Sequence, residues 1–238
     1  MVCLGVVPIN RVRVPAAAAA APFVPANSLF WVDASQQGGI NNMPLGILAD
    51  NSNVTRSYTV SGLNSLTFLS ANRNGNAVLS SNGTNSPYLG SSTASVPVNQ
   101  PFLGWVVAKV TADSEVFGAD SGANASQFRL KYSGDTILQF LSGGFSQSNL
   151  ISWADWNIIM FHRNAAGQIR LYNGGVQVNV ANVVSSAIDI STLFRLYGLG
   201  FTGLFGEAGL QLGDFTNAQI NALGNSLGSK WAIVWTNL

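Results

Sequence analysis

From Ser28 onward, apolar residues come in short runs broken by clusters of Gly, Asn and Ser. Runs of this length, rich in Val, Ile, Leu and aromatic residues and bounded by turn formers, read as β-strands. They predict strands at Leu29–Val32, Tyr58–Val60, Ser65–Phe68, Ala77–Leu79, Phe102–Val110, Glu115–Gly118 and Phe128–Tyr132. Further strands are expected at Thr136–Leu141, Trp156–Arg163, Gln168–Tyr172, Val176–Val180, Phe194–Leu199 and Phe205–Leu212. Asn173–Gly174, lying between two of these runs, is a strong hairpin signal, because a type I′ turn needs φ > 0 at both central residues. Strands do not alternate with helices, as a parallel βαβ sheet would require. The pattern therefore predicts a two-sheet antiparallel sandwich.

One stretch follows a different period. In DFTNAQINALGNSLGSKWAIVW, residues 214–235, Thr216 is placed as an N-cap and Gln219 completes a capping box. Phe215 and Ile220 form the expected hydrophobic staple. Ile220, Leu223 and Leu227 fall on one helical face at i, i+3 and i+7. Gly228 is expected to end the helix, Lys230 and Trp231 to begin the exit, and Ala232–Trp235 to return as a last strand. This helix is read as a closing element over one end or edge of the sheets rather than as a site.

Residues 1–27, MVCLGVVPINRVRVPAAAAAAPFVPAN, stand apart. The Ala run is short for an isolated helix, and Pro15, Pro22 and Pro25 favour an extended path. The division is thus an extended N-terminal arm, 1–27, and a sandwich domain, 28–238. Val6, Val7, Ile9, Val12, Val14 and Phe23 are the arm's docking residues, with another subunit as the expected surface and the chain's own domain as the alternative. Arg11 and Arg13 follow the first apolar patch instead of preceding it, which fits a secretory signal poorly.

Composition narrows the classes. Charged residues are 9% of the 238, net charge is +1, and hydrophobic residues are 47%. A surface of Asn, Ser, Thr, Gln and Gly offers no field to attract nucleic acid or an anionic membrane, and no run approaches a membrane-spanning length. One Cys, Cys3, and one His, His162, exclude an intrachain disulfide and a Cys/His zinc cluster.

The order of four motifs resembles the laminin-G-like domains of the concanavalin A-like lectin/glucanase superfamily. The first is SLFWVDAS, residues 28–35, similar to the Leu-Trp-x-Asp-Ala-Ser opening strand of bacterial and phage-borne members. An apolar strand SLTFL follows at 65–69. The third is the Trp156-led strand followed by QIRLYNGG, 168–175. The fourth runs from Gly203 and Glu207 through a capped helix ending in Gly-Ser-Lys-Trp. The resemblance implies a concanavalin A-like jelly-roll, all-β, with one short C-terminal helix. It does not imply one activity, because this sandwich carries lectins, glycosidases, adhesion modules and structural domains.

Glucanases of that superfamily set two Glu and an Asp on alternate positions of one strand, and a retaining mechanism needs two carboxyls roughly 5–5.5 Å apart. Here Glu207 has no alternate acid, and Asp113 beside Glu115 falls in a turn, so a non-enzymatic protein is expected. GLGFTG, 198–203, matches a dinucleotide pattern but precedes a strand rather than a helix. His162 shares a strand face with Met160 and Ile158 and is read as a packed or hydrogen-bonded strand histidine. The resemblance allows calcium at loop acids and amides, with Asp120, Asn124, Asp135 and Asp155 as candidates, although none has a calcium-loop spacing. Trp105, Trp153, Trp156, Trp231 and Tyr88 are the aromatics that a sugar ring could stack on, and core packing is the commoner use. Asn-x-Ser/Thr at Asn53, Asn82 and Asn124 says little in so Asn-rich a chain.

The expected function is a structural protein of a bacteriophage virion, a capsid decoration or tail component assembled through its arm with other virion subunits as a homo-oligomer. The alternative is a carbohydrate-binding or host-adhesion module meeting host glycans.

Overall fold

The structure is a computed structural model. It describes residues 25–54, 57–59, 66–82, 94–112, 114–119, 126–132, 137–141, 145–148, 152–179, 182–184, 186–190, 192–193, 195–196 and 199–238. The arm residues Val6, Val7, Ile9, Val12, Val14 and Phe23 lie outside them, as does Cys3.

The longer strands are β1 (Phe30–Asp33), β2 (Thr67–Arg73), β3 (Asn76–Asn82), β4 (Phe102–Val110), β5 (Ser114–Ala119) and β6 (Ser126–Tyr132). They continue with β7 (Ile137–Leu141), β8 (Phe145–Ser148), β9 (Asn157–Arg163), β10 (Gln168–Asn173) and β11 (Thr202–Leu212), before the helix α1 (Asn217–Trp231). A large antiparallel sheet runs Val176–Gln177, β10, β9, β4, β11, β3, β2, Met43–Pro44, with β1 also on β11 and Asn182–Val183 on β10. A second sheet runs β8, β7, β6, β5 and Thr192–Leu193. The fold is the expected all-β sandwich with a C-terminal helix. The expected strands at 77–79, 102–110 and 168–172 are present, and the one expected at 156–163 runs over 157–163, while short strands such as Ile47–Ala49, Ala94–Val96 and Ile188–Ile190 carried too few residues to show a period.

The large sheet is buried on both faces, which is why β4 is an almost unbroken apolar run. On one face Phe102, Val106 and Ala108 of β4 and Ile159 and Phe161 of β9 meet Phe128 and Leu130 of β6. The Phe128 ring stands edge-on to Phe161 at 4.9 Å. On the other face Leu103, Trp105 and Val107 meet Ile158 and Met160 together with Ile220, Leu223, Leu227 and Trp231 of α1. The helix therefore covers the outer face of the large sheet rather than an end or edge of the sandwich. Burying four such side chains stabilises the docked helix by about 1.5–3 kcal/mol each.

The N-terminal capping box is present, with Thr216 Oγ1 accepting from Gln219 N and Gln219 Oε1 accepting from Thr216 N. The C-terminus departs from expectation in two ways. Gly228 does not end the helix, which continues to Trp231 and stops where Ala232 turns left-handed at φ 50°. Residues 232–238 form no strand but lie back over α1. The cause is a tertiary cap. The β2–β3 hairpin, turned at Asn74–Gly75 with φ 48° and 76°, sends its side chains to the last helical carbonyls. Arg73 donates to Trp231 O and Ala232 O at 2.8 Å, Asn74 to Ser229 O and Lys230 O, and Asn76 to Lys230 O at 2.7 Å. Carbonyls satisfied in this way no longer need a glycine stop. Gly224 and Gly228 instead leave a groove that receives the tail, where a Cβ on Gly224 would lie 2.1 Å from the Trp235 ring.

Candidate functional site

Four segments meet at a surface cavity of about 310 Å³: Arg73 at the end of β2, Asp155–Ile158 leading into β9, the hairpin at Asn173–Gly174, and Ala232–Val234 of the tail. A hairpin forms here as expected, but its turn is one residue later than Asn173–Gly174: Gly174 and Gly175, at φ 56° and 88°, join Asn173 to Val176. It fixes the tail by accepting from Thr236 N at Gly174 O, 2.8 Å. The tail is thus one wall of the cavity, a role that its reading as a closing strand did not give it.

The polar groups here are acceptors and amides. Asp155 Oδ1 accepts from Trp156 N at 2.8 Å, and Asn157 Nδ2 donates to Ser152 O and Asp155 O. That leaves Asp155 Oδ2, Asn157 Oδ1 and the whole Asn173 amide without a hydrogen-bond partner among the described residues. Trp156 forms an apolar floor. Its ring stacks on Trp231 at 6.1 Å and 12°, and the Arg73 guanidinium lies 5.9 Å from its centroid. At 8% exposed, Trp156 contributes an edge to the cavity, not a free face.

A second polar concentration is sealed between α1 and the large sheet. β11 carries a bulge between Phe205 and Glu207 where it meets β4. The extra residue, Gly206, shifts the alternation, so Phe205, Ala208 and Leu210 face the sandwich core while Glu207 faces the helix. Asp33 of β1 is its cross-strand partner. Lys230 Nζ bridges the two, 2.5 Å from Asp33 Oδ2 and 2.8 Å from Glu207 Oε2, and lies 5.0 Å from the Trp231 ring. Trp31 Nε1 donates to Glu207 Oε1 at 2.8 Å and Trp231 Nε1 to Oε2 at 3.3 Å. Asp33 Oδ1 accepts from Ser35 N and Ser35 Oγ, and Oδ2 from Gln36 Nε2. Burial, and then the Asp33 charge, raise the pKa of Glu207, while Lys230 and the Trp31 bond oppose the rise. Sequence reasoning found no second acid near Glu207, because the partner is 174 positions away and only strand pairing brings it there.

The remaining candidates separate clearly. Trp105 and Trp231 are fully buried under and within α1, and Trp153 belongs to the core between the sheets, so none of them is a stacking platform. Tyr88, Asp113, Asp120, Asn124 and Asp135 lie outside the described residues. Of the calcium candidates only Asp155 is described, and among the described residues no group of three or more His, Cys, Asp or Glu side chains lies together. His162 is buried on the helix side as expected, with neither ring nitrogen hydrogen-bonded among the described residues and Asp214 3.9 Å from Nε2. Burial lowers its pKa to about 4, Asp214 partly opposing and Arg170 adding to the shift. Arg163, fully buried, donates to the carbonyls of Pro97, Gln100, Val184 and Ser186 and ties loops together. GLGFTG opens β11 and no helix, as expected. No helix among the described residues is long and apolar enough to cross a membrane.

These features define a two-sheet β-sandwich with a helix-covered outer face and a small polar cavity at the edge of that cover. No family profile matches the chain, and no curated protein sequence matches it. Solved structures do. The binding domain of Paraclostridial Mosquitocidal Protein 1 superposes with TM-score 0.55 at 12% identity, over 87% of this chain and 55% of that one. The binding domain of Botulinum neurotoxin DC, solved in complex with rat synaptotagmin II, gives 0.52 at 11%, over 86% and 52%. Trypanosoma rangeli sialidase in complex with sialic acid gives 0.51 at 14%, over 88% and 36%. The chain thus spans between about a third and about half of these proteins' lengths, and what it shares with them is the β-sandwich fold.

Proposed function

We propose that the chain is a non-enzymatic binding module that takes a carbohydrate in the Trp156 cavity, as a lectin or host-adhesion domain of the concanavalin A-like type. The observation that carries the reading is the set of unpartnered polar atoms on Asp155, Asn157 and Asn173 around an apolar indole edge. Hydroxyl-rich ligands are recognised by such acceptors and amides, and the volume falls at the low end of ligand pockets, about 300–1,000 Å³. The matching sandwiches include two binding domains and a sialidase, which supports a binding role. A hydrolytic role has less support, because Asp33 and Glu207 are sealed beneath Lys230 and already hold donors. In this reading the apolar residues 1–27 serve as a docking arm that carries the module on a bacteriophage virion, and its partners are sister subunits and host glycans.

The test is a glycan array with the full chain, followed by titration of the best ligand. Losing hydrogen bonds to a charged group and an amide costs about 1.5–3 kcal/mol, so Asp155→Ala combined with Asn173→Ala is expected to weaken binding at least about tenfold with the melting temperature little changed. A flat array, or a hit that the double variant binds equally well, overturns the assignment.

A further inference from the structure

The Lys230 site has a chemistry that an ion pair does not exhaust. An amine nitrogen lies 2.5 Å from a carboxylate oxygen of fully buried Asp33, and a second buried carboxyl, Glu207, lies 2.8 Å from the same nitrogen. Both carboxyls are held in orientation, Glu207 by two indole N–H groups and Asp33 by Ser35 and Gln36. Lys230 itself is positioned by the capped last turn of α1, leaving its side chain 27% exposed. Such an arrangement holds an amine in hydrogen-bond contact with one carboxyl group and a second carboxyl beside them, and fixed proximity of this kind replaces a bimolecular encounter.

We infer that Lys230 Nζ and Asp33 Cγ condense into an intramolecular isopeptide bond, with Glu207 as the proton relay. The short contact between Lys230 Nζ and Asp33 Oδ2 gives the proton a direct path from the amine to the carboxylate. The ammonium proton passes to the Asp33 carboxylate, and Nζ attacks Cγ. The charge that develops on Asp33 Oδ1 is met by Ser35 N–H at 3.0 Å and the Ser35 hydroxyl at 2.7 Å, donors placed as in an oxyanion hole. Glu207 takes a second proton from Nζ and returns it to the departing Oδ2. The Nζ–Cγ bond forms, the Cγ–Oδ2 bond breaks, one water leaves, and Glu207 ends as it began. No oxidant, metal or cofactor enters the balance. The product is an amide that ties the first strand of the large sheet to the terminal helix.

Intact-mass spectrometry of the full chain, purified and denatured, tests this directly. The wild type is expected to weigh one water less than its sequence, and proteolysis is expected to yield a branched peptide joining the segments around Asp33 and Lys230. Glu207→Gln keeps the shape and removes the relay, so it should retain the full sequence mass. Lys230→Met should do the same. Asp33→Asn separates chemistry from folding, because its condensation releases ammonia and ends at the same mass as the linked wild type. Full sequence mass in the wild type overturns the inference, and so does a water loss that maps within a single peptide. Glycan binding at the Trp156 cavity is measured separately and does not depend on this bond.

Discussion

His162 shows how one buried side chain sets a pH response. Its imidazole is 3% exposed on β9, and burial holds its pKa near 4, below the ordinary 6.5. The unfolded chain takes up the proton near 6.5 and the folded one only near 4, so stability falls as pH drops through that window. Between pH 7 and pH 5 the loss from this group is about 2 kcal/mol. Urea unfolding of the wild type and of His162→Leu at both pH values checks it: the variant should lack that part of the loss, and identical pH profiles would disprove it. The residue's face was legible from its alternation with Met160 and Ile158. Its missing partner was not, because Asp214 and Arg170 come to it from β11's end and from β10.

At the scale of elements, the helix exposes a conflict between propensity and packing. By propensity alone, Gly224→Ala inside α1 would stabilise by up to about 1 kcal/mol. Here a Cβ at 224 would meet the Trp235 ring at 2.1 Å, and Trp235 is further held by Asn221 Oδ1, which accepts from its Nε1 at 3.2 Å. The expected sign is therefore reversed, a loss of about 1–3 kcal/mol by overpacking. A denaturation curve shifted toward greater stability would refute it. The same packing explains where the sequence reading of this element ended. Its N-terminus was legible because the capping box is local, a contact between residues three apart. Its C-terminus was not, because the cap is supplied by Arg73, Asn74 and Asn76 from a distant hairpin.

For the whole molecule, the two cores named above are built from described residues of the sandwich, which begin at Pro25. Removing those residues is expected to leave a cooperative melting transition and to abolish self-association measured by light scattering. Assembly unchanged by the truncation would sink the proposed role of the arm. The candidate cavity belongs to this scale too. Its four walls come from residues 73, 155–158, 173–174 and 232–234, so no linear motif describes it, although Trp156 is legible as a sugar-stacking candidate and Asp155 as a calcium candidate.

Strand periodicity, turn chemistry and the capping box are short-range physics, and they suffice to specify an all-β chain closed by one amphipathic helix. The same local signals placed the strand at 102–110, the strand at 156–163 to within one residue, and a hairpin one residue short of its Gly174–Gly175 turn. Which face the helix covers, where it stops, and that the tail walls a cavity follow from long-range packing. It also brings buried Asp33 and Glu207 together beneath Lys230. The reason is the bulge at Gly206: a single inserted residue changes which face Glu207 occupies, and periodicity read along one strand carries no trace of it.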